Sequence, residues 1–184
     1  MSKPSQVIVL LEDIRTGRFI SGYLTKCGVN RRDIRLRLPQ VGAGSAEHWV
    51  RRQVATEVSE YRRRQPRAGT ALIVVIDADT GSVQKRLRQI AQALEENRIR
   101  TIDTNTEQIA RLVPKRNIET WILCLNEQKV NEETNYKGKT HDWNKLIPSA
   151  AETLFQWTRS NAEPPNHCTA SLRCGIRELN GLRL

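Results

Sequence analysis

Three acidic positions stand where apolar runs stop. Asp77 and Asp79, in the segment Asp77-Ala78-Asp79-Thr80-Gly81, follow the apolar residues 71–76, and Glu12 follows the apolar residues 6–11. A D-x-D pair leaving a strand at period two would set two carboxylates on one side of the pleat, where they can share one hard cation. Without a cation they would repel, and one would have to stay protonated. Mg²⁺ or Mn²⁺ is the expected ion, because such ions take one or two carboxylates together with phosphate oxygens and water. Asp, Thr and Ser ahead of residue 83 also suit a helix-capping turn, which accounts for one Asp better than for two. Glu12 taken alone also fits an exposed loop.

A third cluster, Lys115-Arg116-Asn117-Ile118-Glu119, follows another apolar run. Glu119 would complete a metal shell, and Lys115 or Arg116 would stabilise charge on a leaving oxygen. Equally, a Glu in a first helical turn is favoured by the helix dipole, and Lys-Arg-Asn makes an ordinary loop.

The rest of the charge has the opposite sign. The 184-residue chain has 30 Lys and Arg against 20 Asp and Glu, a formal net charge of +10. Residues 26–67 hold 11 of those cations and only four acids. Most are Arg, whose planar fork matches phosphate oxygens, so a polyanion is the expected partner. Arg35, Arg37, Arg51, Arg52, Arg62, Arg63 and Arg64 are the candidate nucleic-acid contacts; a solvated helix face is the other reading of the same residues. Gly42, Gly44 and Ser45 form a candidate phosphate-binding loop at a helix start, although a plain strand-to-helix turn uses the same residues.

These groups need a scaffold, and the hydrophobic pattern predicts one. Strands are expected at 6–11, 33–38, 71–76 and 109–113, with the alternating 33–38 near a sheet edge and 71–76 central. Helices are expected at 16–27, after Ser45, after Ser82 and from Asn117 or Thr120, then at 149–160 and 171–182. In the helix after Ser82, Leu87, Ile90, Ala91 and Leu94 should face the sheet, while Lys85, Arg86 and Arg88 face away. The alternation implies an α/β fold with a mostly parallel central sheet and helices on both faces. Residues 1–125 read as the core and 126–184 as a C-terminal loop and helical extension packed on the same domain. No run approaches the roughly 20 apolar residues of a membrane helix, so no membrane partner is expected and the cytoplasm is the expected location. Cys27, Cys124, Cys168 and Cys174 lack the paired spacing of a zinc site or a disulfide framework.

Glu12 after a first strand, with Asp77 and Asp79 after a later one, resembles the Toprim domain of topoisomerases, primases and related nucleases. The run Ile118-Glu119-Thr120-Trp121 also looks like a segment of small Toprim-like proteins that accompany ATPases in bacterial anti-phage defence. The resemblance covers residues 6–125. It implies a Toprim-like Rossmannoid fold, Mg²⁺ on Asp77 and Asp79, and proton transfer or metal binding by Glu12. It also implies a nuclease acting on nucleic acid, DNA ahead of RNA, as the effector subunit of a defence complex with an ATPase or other subunit. A non-catalytic nucleic-acid-binding or assembly subunit on the same scaffold is the alternative. The family usually places Gly directly after the first Glu; here Asp13 stands there. Haloacid-dehalogenase-like phosphatases carry their D-x-D on the first strand and nucleotide-sugar transferases rarely carry so many arginines, so both fit less well.

Overall fold

The computed structural model describes residues 4–40, 42, 44–160 and 162–184. Four strands, β1 (Gln6–Leu10), β2 (Ile34–Arg37), β3 (Thr70–Val75) and β4 (Ile109–Leu112), form one sheet in the order β2-β1-β3-β4. Every pairing is parallel, with Val7 opposite Ile34, Val7 opposite Ala71 and Leu72 opposite Ile109. The strands alternate with α1 (Ile14–Lys26), α2 (Ala46–Arg64), α3 (Val83–Glu96) and α4 (Ile118–Leu125), and α5 (Trp143–Trp157) and α6 (Ala170–Asn180) follow. All six residues of β3 are buried, as a strand covered on both faces requires. β2 is one of two four-residue edge strands, with Arg35 and Arg37 turned outward.

Side chains alternate between two cores. Val7, Val9, Ala71 and Ile73 pack with α1, α4, α5 and α6 on one face. Ile8, Leu10, Leu72 and Val74 pack with α2 and α3 on the other. The expected architecture of a parallel sheet between helical layers is therefore the observed one. The extension belongs to the same core, since Ala150, Leu154, Leu172 and Ile176 share a cluster with α1 and α4. The fit between α4 and α6 is close: a Cβ on Gly175 would lie 2.4 Å from the Trp121 ring, and the Trp121 indole N–H donates to Ser171 Oγ at 2.7 Å. α6 also meets the open side of β4, where Arg111 donates to Glu178 from its backbone N–H at 2.8 Å and from its guanidinium at 2.7 Å.

Two expectations need correction. α5 begins at Trp143, not at 149, and carries Pro148 inside it. Proline there removes one helical hydrogen bond, but Pro148 is solvent-exposed and Asp142 caps the helix by accepting from Lys145 N, so the turn before it survives. In α3 it is Arg86, not Ala91, that completes the buried face with Ile90 and Leu94, because its guanidinium finds the Glu47 carboxylate on α2. Among the described residues no helix is long and apolar enough to cross a membrane.

Candidate functional site

β1 is followed by α1 on one face of the sheet, and β3 by α3 on the other. The carboxyl ends of β1 and β3 therefore part at a topological switch point, where open α/β sheets leave a crevice for ligands. Glu12 and Asp77 occupy those two ends. They are joined directly, the Asp77 backbone N–H donating to Glu12 Oε1 at 2.7 Å. Asp13 directs its own carboxylate to helix capping, accepting from Thr16 N at 2.9 Å and from Thr16 Oγ1 at 3.2 Å. Asp13 thus starts α1 as its N-cap.

Asp77 and Asp79 do not share a pleat. β3 ends at Val75, and the chain turns: Ala78 N–H donates to Pro114 O and Gly81 N–H to Ala78 O, both at 2.8 Å. Asp77 points inward and is 5% exposed. Asp79 adopts φ 52° and stands on the rim with a 60% exposed side chain, 3.8 Å from Arg86. Neither Asp caps α3, because Ser82 does so by accepting from Lys85 N at 3.1 Å. The capping alternative for the pair is thereby removed.

Glu119 comes to the same place from the first turn of α4, whose N-cap is Asn117. It is 1% exposed; Arg15 of α1 bonds one carboxylate oxygen, and the other, Oε2, is buried with no hydrogen-bond partner. Lys115 turns away, pairing with Glu133 at 2.9 Å, and Arg116 lies half-buried beside it. Glu133 belongs to the polar loop 126–142. That loop is tied down by Asn135, whose Oδ1 accepts from Asn117 Nδ2 at 2.8 Å and from Lys137 N at 3.0 Å. The tie brings the Lys137 ammonium into the field of Asp77, Asp13, Glu119 and Glu12.

The electrostatics follow from this crowding. Burial, the Glu12 charge and then Glu119 and Asp13 push the Asp77 carboxyl well above its ordinary value, against the pull of Lys137. Burial and the Asp79 charge raise Glu12 to about 7, although the Asp77 amide, Lys137 and Arg86 act the other way. Burial opposes the charge on Lys137, yet the surrounding carboxylates win and raise its pKa. Carboxylates here outnumber the cations that reach them, and such a site favours a proton or a further cation.

The residues fit a hard divalent ion by donor type and by the orphaned Glu119 Oε2 near the Glu12–Asp77 contact. Among the described residues no three acidic, His or Cys side chains already surround one point. Holding an ion would therefore require the Glu12, Asp77 and Glu119 carboxylates to draw closer together than they stand.

The arginines occupy other places. Arg51 pairs with Glu47 at 2.6 Å and Arg37 with Glu57 at 3.4 Å. Arg52 lines a recess of about 330 Å³ between α2 and α3 with His48, Arg51 and Gln89. Arg62 grips Glu107 through Nε at 2.6 Å and donates to the carbonyls of Arg100 and Thr101 at 2.8 and 2.9 Å. Arg63 and Arg64 share Glu60. Since α2 rises about 1.5 Å per residue, Arg62 to Arg64 lie roughly 25 Å from its Glu47 end, the end tied to Arg86 and the site. Arg35 stands on the outer side of β2. Gly42 and Gly44 take φ of 87° and 79° with open space where a Cβ would be, so backbone conformation, not close approach, selects glycine there. Ser45 caps α2 by accepting from His48 N at 3.4 Å; Ala43, between the two glycines, lies outside the described residues.

Sequence reasoning missed Arg15, Arg86 and Lys137. Arg15 follows the capping Asp13 by two residues, a weak signal; Lys137 sits in a loop with no periodicity and gave none. Comparison of the chain with protein-family models, with curated proteins and with solved structures finds no match.

Proposed function

We propose that the protein is a Toprim-type, divalent-cation-dependent phosphodiester hydrolase acting on nucleic acid. The observation that carries this reading is the partly buried contact between Glu12 and Asp77 at the switch point, with the unpartnered Glu119 oxygen nearby. Bound Mg²⁺ or Mn²⁺ would supply charge neutralisation at the phosphate and a lowered pKa for a water. Glu12, Asp77 and Glu119 are the residues to hold it, with Asp79 on the rim. The Asp77 amide fixes one Glu12 oxygen and leaves the other for the ion or a water. Arg15 orients Glu119 by holding its second oxygen. Lys137 sits where it can move between the carboxylates and an incoming phosphate. The basic surface would raise the local concentration of a polyanion.

The test is cleavage of supercoiled plasmid and of labelled single-stranded DNA with Mg²⁺ or Mn²⁺ at low salt. Asp77→Ala and Glu119→Gln should each lower the rate about a thousandfold, a loss of several kcal/mol in barrier lowering. Salt-sensitive DNA binding should persist. Cleavage that survives in the Asp77→Ala/Glu119→Gln double variant removes this reading. A non-catalytic nucleic-acid-binding or assembly subunit is the second reading, favoured by Lys137 already lying among the carboxylates as an internal counter-ion. Binding without metal-dependent turnover, alone and with an added ATPase partner, would select it.

A further inference from the structure

A second feature adjoins the acidic cluster. A recess of about 320 Å³ is lined by Ile14, Arg15 and Arg18 of α1 and by His141, Trp143 and Ile147 at the start of α5. Arg15 is the wall it shares with the cluster: its guanidinium bonds Glu119 and also lies 4.8 Å from the centre of the Trp143 ring. His141 meets the same ring edge-on, with centroids 5.1 Å apart. Ile14, 54% exposed, is the one exposed large hydrophobic side chain among the described residues. Trp143 is only half-buried, whereas Trp121 is sealed in the core. Asp142, the acid on this rim, is engaged in capping α5.

Core packing accounts for Trp121 and in part for Trp143, but not for a histidine and an exposed isoleucine gathered beside that ring at the mouth of a crevice with two arginines. The volume lies at the small end of the roughly 300–1,000 Å³ of ligand sites, room for one planar heterocycle. Aromatic rings with arginine beside them are how proteins hold bases that are free of a duplex, since an unpaired base offers its face and a paired one does not. Arginine over an aromatic ring adds cation–π attraction and keeps a cation for the adjoining phosphate.

We infer that this recess is a nucleobase subsite, and that the acidic centre therefore acts on single-stranded nucleic acid, one unpaired base stacking against Trp143 with its phosphate beside Arg15. This rests on the reading of the acidic cluster as a nucleic-acid site. Arg18 on the rim takes the next phosphate, and Ile14 packs against the sugar or base edge.

Binding in EDTA separates the subsite from catalysis. The full chain is titrated by fluorescence anisotropy against labelled oligothymidylate and oligouridylate of about 12 nucleotides, within the site sizes such grooves take, and against a mixed-sequence duplex of that length. One or both single strands should bind about tenfold more tightly than the duplex. Trp143→Leu should lose roughly tenfold on the single strand with duplex affinity unchanged, while Trp143→Phe keeps most of it, as stacking on an aromatic predicts. Equal loss in the Phe and Leu variants, equal loss on single strand and duplex, no loss at all, or a duplex preference in the parent chain would each overturn the proposal. The outcomes stay distinct from those for hydrolysis: a chain that prefers single strands but never cleaves keeps the subsite and loses the hydrolase, and one that cleaves duplex without that preference does the reverse.

Discussion

The two charged ends of the molecule are built on opposite terms. At the far end of α2 each cation has an anion beside it: Arg62 holds Glu107 by two hydrogen bonds, and Arg63 and Arg64 divide Glu60. At the carboxyl edge of the sheet Glu12, Asp13, Asp77 and Glu119 gather around Lys137 and Arg15, and one Glu119 oxygen has no partner. The first arrangement is satisfied and rigid; the second holds charge that only a proton or an added cation can relieve. Ten arginines dominate the composition of the basic stretch 26–67, yet several are engaged in holding the fold. A function is better sought where polar groups are left short of partners than where charge is most abundant.

That contrast can be broken at either end. The largest effect on stability is expected at the satisfied end. Arg62→Ala leaves Glu107, 8% exposed, without its main partner, and should cost about 3 kcal/mol in urea unfolding. A cost below about 1 kcal/mol would mean that Arg62 is in effect a surface charge.

The next effect is a difference in pH sign. Glu12 has a folded pKa raised to about 7 from an unfolded 4.5, so the folded state holds the proton more tightly. Its contribution is complete below about 4.5 and is lost as pH rises through 7, on the order of 3 kcal/mol in the absence of divalent ions. Glu12→Gln should flatten that slope, and Mg²⁺ should restore stability on the alkaline side, both read from thermal unfolding across pH. Glu107 runs the other way. Burial works to raise its pKa, but Arg62 and the Asp103 amide hold it below its usual range, so its contribution is lost as pH falls. If the Glu12 variant keeps the parent's slope, the acidic end is not strained. The smallest effect belongs to Arg63→Ala, an exposed pair whose loss should change stability by under about 0.5 kcal/mol.

Much of the scaffold could be read from the residues because burial on both faces writes β1 and β3 as unbroken apolar runs, and Gly28 and Ser82 mark helix ends. Glu12 and Asp77 were legible for the same reason, since a carboxylate directly after such a run has few places to go but the sheet's open end; Glu119 was read from the charged turn that opens α4. Their partners were not. Arg15 reaches Glu119 across 104 residues, and Lys137 depends on an Asn117–Asn135 bond that no local pattern announces. Pro148 hid the first turn of α5, and with it Trp143 at the rim of the recess, because proline reads as a break unless its lost hydrogen bond faces solvent.

The contact between Glu178 and Arg111 has a consequence for handling the protein. A parallel sheet of four strands has two open borders, and an open border invites another chain to pair with it. Both edge strands are four residues long; β2 protects its border with outward arginines, whereas β4 relies on α6, whose glutamate takes the Arg111 backbone N–H that a neighbouring strand would otherwise seek. The residues after 125 thus serve as a border guard as well as a core layer. A fragment trimmed to the core would lose that guard along with the apolar cover of α4, making it prone to self-association, so the full chain is the form suited to solution work.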